Sequence, residues 1–221
     1  MKALFDFHYS TKFVKKITND KIYREAKPNT KTKSYLTSQV EKIVWSYKLA
    51  SRTVNIPSKQ YPREIQIITL LLKTKRLDDE VLVAIDKAIL SPIIFVLRYR
   101  SQVCYAVAYK RVSEADKTKR VISSHFRSGW LPKNADKIKL PATVNLLKLY
   151  QALLSKILSV PLRENEGINA YIERIEQIKH EELEAEKMKK KLKKERQFNR
   201  QVDLNSKIKV LEKNIETLRG K

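Results

Sequence analysis

All seven prolines and two of the three glycines lie before residue 168. That asymmetry separates a punctuated body from an arm in which nothing interrupts a helix. From Ile168 to Arg219 run 52 residues without Pro or Gly, rich in Glu, Lys, Leu and Ile, a composition that helix propensity favours. As one continuous helix the arm would reach roughly 80 Å at about 1.5 Å per residue; a hairpin of two helices fits the same composition. The boundary falls near Pro161 to Gly167, giving a body of residues 1–161 and a helical, coiled-coil-like arm of residues 162–221.

Within the body, REIQIITLLLK (63–73) is apolar on both faces, the mark of a central strand covered on each side. VEKIVWSYKLA (40–50) is expected to pass from helix to strand, with TVNI (53–56) as a short strand after it. LDDEVLVAIDKAIL (77–90) sets Leu77, Val81, Leu82, Ile85 and Ile89 at helical spacing, and Asp78 and Asp79 lie where a helix N-terminus favours negative charge. PIIFVLRY (92–99) and VCYAVAY (103–109) flank the polar Arg100-Ser101-Gln102, a hairpin signal. ATVNLLKLYQALLSKILSV (142–160) is an amphipathic helix. The expected fold is α/β or α+β: a small mixed sheet flanked by helices, followed by the long arm.

The chain carries 47 basic against 24 acidic residues, a net charge of +23. Such self-repulsion is costly unless a polyanion neutralises it, so nucleic acid is the first partner to expect. The excess is not confined to a tail: residues 1–60 hold 13 basic and 4 acidic groups, and residues 111–160 hold 10 and 3. One cysteine, Cys104, allows no intramolecular disulfide and suits a reducing cytosol. With only that thiol and the scattered His8, His125 and His180, no zinc site assembles. No apolar run approaches a membrane span and the first residues lack a signal-peptide core, so a cytoplasmic protein without membrane contact is expected.

The arm sorts its charges into blocks. EELEAE (181–186) precedes a run in which Lys187, Lys189, Lys190, Lys191, Lys193, Lys194, Arg196 and Arg200 face a single Glu195. Lysines on both sides of one helix cannot be buried. The run is either a solvated surface or a grip on phosphates, and its one-sided balance together with the basic body favours phosphates. Beyond it, Leu204, Ile208, Leu211, Ile215 and Leu218 step by 4-3-4-3, a coiled-coil seam, while the apolar stripe before it passes through Leu192, Phe198 and Val202. Self-association through Phe198, Val202 and that seam is expected, giving a homo-oligomer. Phe198, set among Gln197, Asn199 and Arg200, is either a packing knob or a ring that stacks on a base; helical spacing favours the knob, with Gln201 and Asn205 fixing register.

A second basic stretch surrounds His125: Lys117, Lys119, Arg120 and Arg127 with Phe126 and Trp130 interleaved. It is either a phosphate-contacting loop that can stack on a base or a surface loop whose two rings tuck into the core. His125 has no carboxylate indicated as a partner.

Three blocks carry a resemblance: IVWSYKLASRTVNI, then EIQIITLLLK with AIDKAI and PIIFVL, then KKERQFNRQVDLN. Over about its whole length the chain resembles a bacterial and archaeal family known only as a domain of unknown function, often encoded beside DNA methyltransferases and helicases of restriction-modification and phage-defence loci. The resemblance implies that setting, and a methyltransferase or helicase as a protein partner. It implies no reaction.

Catalytic signatures are sparse. With Gly129, Gly167 and Gly220 as the only glycines, a P-loop cannot be built. The element order is loosely similar to the core of restriction-endonuclease-like nucleases, which need an acid on the second strand and Glu-x-Lys on the third to hold a metal and activate water. Here those places offer Asn55 and Glu64-Ile65-Gln66, and Asp78, Asp79 and Glu80 serve first to cap a helix. No catalytic residue, metal ligand or cofactor is assigned. The function expected is a non-enzymatic, nucleic-acid-binding accessory protein that grips the phosphate backbone, DNA before RNA, with little sequence specificity. The rival readings are a self-associating adaptor and, behind it, a metal-dependent nuclease with a degenerate centre.

Overall fold

A computed structural model describes residues 3–58 and 61–220, which divide between Ser159 and Val160 into two compact units. The first contains, in chain order, β1 (Leu4–Asp6), β2 (Lys12–Ile17), α1 (Asn19–Ala26), α2 (Thr30–Gln39), β3 (Val40–Ala50), α3 (Ser51–Val54) and β4 (Glu64–Leu72). α4 (Asp79–Ala88) then leads to β5 (Ile93–Tyr99) and β6 (Gln102–Val107). Five short strands follow, β7 (Lys110–Val112), β8 (Arg120–Ile122), β9 (Phe126–Arg127), β10 (Leu131–Pro132) and β11 (Lys137–Lys139), and then α5 (Leu146–Leu158). The second unit holds α6 (Ile168–Leu192) and α7 (Phe198–Arg219). No helix among the described residues is long and apolar enough to cross a membrane.

The fold is mixed α/β, as its pattern implies. β4 lies inside a sheet ordered β10-β6-β5-β4-β3-β2, with β9 also on β6. It runs antiparallel to β3 and parallel to β5, which α4 makes possible by crossing over. Ile65, Ile67, Ile68 and Leu70 are all fully buried, as a strand apolar on both faces requires. On one face Ile68, Leu70, Phe95 and Leu97 join Val81, Leu82 and Ile85 of α4, Ile22 of α1 and Leu36 of α2 in one cluster. α5 packs beside β6 and β9, burying Leu149, Tyr150, Leu153 and Leu154. The hairpin between β5 and β6 forms where Arg100-Ser101 stand, with Arg100 in the left-handed region at φ 50°.

Two local expectations are overturned. Residues 40–50 are strand throughout, since Val40, Ile43, Val44, Trp45 and Tyr47 pair with β4 on one side and, from Ile43 to Tyr47, with β2 on the other; β-branched and aromatic side chains fit that setting. Residues 53–56 are not strand. Ser51–Val54 is one helical turn in which the Thr53 hydroxyl accepts from Ala50 N–H at 2.8 Å and donates to the Lys48 carbonyl at 2.8 Å, and Asn55 leaves it at φ 52°. Side-chain bonds of this kind outcompete strand pairing locally.

The arm is a hairpin. α6 and α7 run antiparallel, tied by Lys189 to Glu212 at 2.6 Å and by an Arg219–Glu182 ion pair. The 4-3-4-3 row of α7 marks where burial falls: Ile208 is buried and Leu204, Leu211, Ile215 and Leu218 are half-buried on a helix that lies along α6 of the same chain. A single continuous coiled-coil rod is not formed.

Candidate nucleic-acid interface

The bend between the two arm helices, Lys193 to Gln197, has no proline or glycine to cause it. Its geometry comes from Glu195, whose Oε1 accepts the N–H groups of Arg196 at 2.9 Å and Gln197 at 3.0 Å. These bonds, first that of Gln197, hold the carboxyl below the usual carboxylate range. Gln201 Nε2 reaches back to the Glu195 carbonyl at 2.7 Å, so Gln201 pins the turn where a register role was expected. The one acid inside the basic run is thereby committed to backbone.

Around this bend the predicted cations come together. Lys187 pairs with Glu184 at 2.7 Å and Lys189 with Glu212. Lys190, Lys191, Lys193, Lys194, Arg196 and Arg200 are exposed and, among the described residues, enter no ion pair. Phe198 opens α7 at 75% exposure and Val202 is 52% exposed. Neither occupies the intrachain seam that Leu204, Ile208, Leu211, Ile215 and Leu218 share.

The second predicted patch is largely consumed by structure. Arg127 sits on β9 and spends its guanidinium on Leu77 O at 2.6 Å and Asp79 at 2.5 Å, at the start of α4. Arg120, on β8, donates to the carbonyls of Lys117 and Lys119 at 3.0 Å each and lies 5.5 Å over the Tyr61 ring. Lys119 pairs with Asp116 at 3.2 Å. Phe126 is buried and Trp130 packs on the core, so of the two alternatives for this loop the rings take the tucked one.

A strip that sequence reasoning passed over lies on β2, the edge of the sheet. Lys12, Phe13, Val14, Lys15 and Lys16 are all exposed there, with Tyr9 beside them under the Lys12 ammonium at 5.7 Å. The signal was KFVKK, a strand with no apolar alternation. Lysines and the Lys12/Lys15 bulge also serve to keep an edge strand from pairing with another chain.

The nuclease-like comparison becomes concrete. On β3, opposite Glu64 and Gln66, stand Ala50 and Lys48, while Asn55, expected on a strand, follows the helical turn Ser51–Val54 and lies in no strand. Glu64 is ion-paired to Lys48 and accepts from Gln66 at 2.7 Å and Ser91 at 2.9 Å. Asp79 is held by Arg127, Glu80 by Lys31 at 3.1 Å and Thr32 at 3.0 Å, and Asp78 by Gln39 at 2.6 Å. Among the described residues no three His, Cys, Asp or Glu side chains gather as metal ligands would.

His125 does find a carboxylate, against expectation. Its Nε2 lies 2.7 Å from Asp86 Oδ2, and Lys110 Nζ lies 2.7 Å from Asp86 Oδ1, all three side chains at most 1% exposed. Burial pushes the Lys110 pKa down while Asp86 opposes it. The ammonium also donates to the carbonyls of Asp86 (2.9 Å), Ile89 (2.7 Å) and Ser91 (3.1 Å) at the C-terminal end of α4, where a cation is favourable. This trio is sealed from solvent and caps a helix. Residues 39, 24 and 15 apart in sequence meet here, and only the polar Asp86 on the apolar face of α4 gave a sign of it.

No curated protein and no solved structure matches the chain. The family described as "Domain of unknown function (DUF4391)" matches residues 5–215, which takes in both the sheet and the helical hairpin with its basic bend. The chain therefore belongs to the DUF4391 family.

Proposed function

We propose that this protein is a non-enzymatic, nucleic-acid-binding accessory factor that holds the phosphate backbone through the basic bend of its helical hairpin. The observation that carries it is the group of six exposed, unpaired cations there, with Glu195 turned to the backbone. Among the described residues none of the six enters an ion pair, and their mutual repulsion is relieved by a polyanion. The resemblance to proteins encoded beside DNA methyltransferases and helicases supports DNA before RNA, a setting in DNA modification or defence, and one of those enzymes as the partner served. Direct base-edge reading needs side chains set in a groove, and lysine-rich contact to phosphate supplies position without sequence.

The experiment is fluorescence anisotropy of labelled duplex DNA and of RNA across a salt series. With about six phosphate contacts, the slope of log K against log salt is near −5 on duplex, each contact contributing about −0.9. A slope shallower than about −2 on every nucleic acid rejects the proposal.

A second reading, a self-associating adaptor, is favoured by one observation: Phe198, Val202 and Val210 are exposed apolar residues on α7. It predicts a concentration-dependent dimer in sedimentation that a Val202→Ser, Val210→Ser variant loses, together with indifference to nucleic acid.

A further inference from the structure

Phe198 stands where an apolar ring gains nothing from the fold. It is 75% exposed and, among the described residues, takes part in none of the ring–ring or cation–ring contacts. The segment carrying it is held from both sides by the Glu195 carboxylate and the Gln201 amide, so the ring is presented rather than left to fold back. Within four residues lie Lys194, Arg196 and Arg200, exposed and in no ion pair, with the amides Gln197 and Asn199 on either side.

We infer that Phe198 is a stacking platform for an unpaired base, so that the bend takes single-stranded or locally opened nucleic acid in preference to closed duplex. The inference rests on the nucleic-acid binding proposed above and names its substrate class. A closed duplex offers phosphates but no free base face. A single strand offers both, and an aromatic ring among cations answers both, whatever the base, because every base has a π-face. A protein partner fits less well: the centre of a protein interface is depleted of charged residues around its anchor, whereas this ring is ringed by them.

The test uses the full chain, wild type and Phe198→Ala, and three labelled probes: a short single strand, the same sequence as duplex, and the single strand with abasic sites replacing its nucleosides. An exposed ring can be removed without unfolding the hairpin, which circular dichroism checks. The expected result is a loss on the single strand of between about five- and a hundred-fold, with the salt slope unchanged and with duplex and abasic strand unaffected. Phe198→Tyr, which keeps a ring, should bind as wild type. Equal losses on single strand and duplex, a loss on the abasic strand, or no loss at all overturn the stacking role while leaving phosphate binding in place. Loss of self-association by Phe198→Ala with single-strand affinity intact overturns it in favour of a protein contact. Failure of the wild type to bind any probe at low salt removes both proposals.

Discussion

Arg174 holds Glu166 at two points, Nε to Oε1 and Nη2 to Oε2, each at 2.6 Å, and the pair is nearly closed to solvent. The same guanidinium donates to Leu218 O at 2.7 Å and to Pro161 O at 2.9 Å, while Arg163 donates to Thr217 O at 2.9 Å. Two arginines near the start of the arm thus satisfy carbonyls at the end of α7, which the helix alone leaves open. Arg174→Ala leaves Glu166 without its partner and frees the α7 terminus. A loss of about 3 kcal/mol in the stability of the arm is expected, read by urea unfolding, with amides of α7 exchanging faster than those of α4.

The same pair sets an acid limit. Arg174 holds the Glu166 carboxyl below its usual range, and Glu166 raises the guanidinium further above its own. Because the folded carboxyl has the lower pKa, its contribution is fully present above the unfolded value of about 4.3 and is lost as pH falls through the folded value. The melting temperature of the arm should stay level from about pH 8 to 5 and fall below about 4. In Glu166→Gln the neutral melting temperature drops and that part of the acid dependence disappears; an undiminished acid transition in the variant would assign it to other carboxylates.

At the centre of the body, Asp86 lies between Lys110 and His125 in a site at most 1% exposed. Lys110→Met leaves the aspartate with His125 as its remaining side-chain partner and uncaps the carbonyls of α4, at an expected cost of about 3 kcal/mol. Removing both charges in Lys110→Met, Asp86→Leu should cost less than the sum of the single changes, because no charge is left unpaired. Additive losses in chemical denaturation would mean that the pair is not coupled.

What was legible in the sequence was what local periodicity encodes. The two-sided apolar run of Ile65 to Leu70, the helical spacing of Val81, Leu82 and Ile85, and the helicity of the arm are all present where the pattern set them. Illegible were features made by side chains acting on backbone. Thr53 turns Ser51–Val54 into a helical turn, and Glu195 bends the arm without Pro or Gly. Long-range pairing was equally hidden: β1 pairs with β11 in parallel, Leu4 opposite Lys137, and no local pattern announces it. The candidate interface was half legible. The basic run is exposed as a charge run must be, and the Lys187–Glu184 pair is a local i,i+3 contact, but the Lys189–Glu212 pair follows only from how α7 folds back on α6.

Arg127 was expected to meet phosphate, and its position on β9 gives it another task. It is about a third exposed and bound to Leu77 O and Asp79 at the start of α4. Arg127→Gln should cost about 1 kcal/mol of body stability after solvent screening and leave nucleic-acid affinity within about two-fold. A loss of affinity with unchanged melting would return Arg127 to the interface.

The ion pairs of the basic run give its lysines unequal roles. Lys187 and Lys189 are already neutralised by Glu184 and Glu212, whereas Lys193 and Lys194 are not. A lysine with a carboxylate at hand must surrender that partner to meet a phosphate, so its net gain is smaller. Lys193→Gln with Lys194→Gln should flatten the log K against log salt slope by nearly 2, about 0.9 for each contact removed. Lys187→Gln with Lys189→Gln carries the same change in net charge, yet should flatten it by well under 1 and instead loosen the α6–α7 pairing slightly, by about 0.5 kcal/mol as exposed pairs do. Equal slopes for the two double variants would mean that the whole run acts as a diffuse charge, and that the fold of the bend selects no particular lysine.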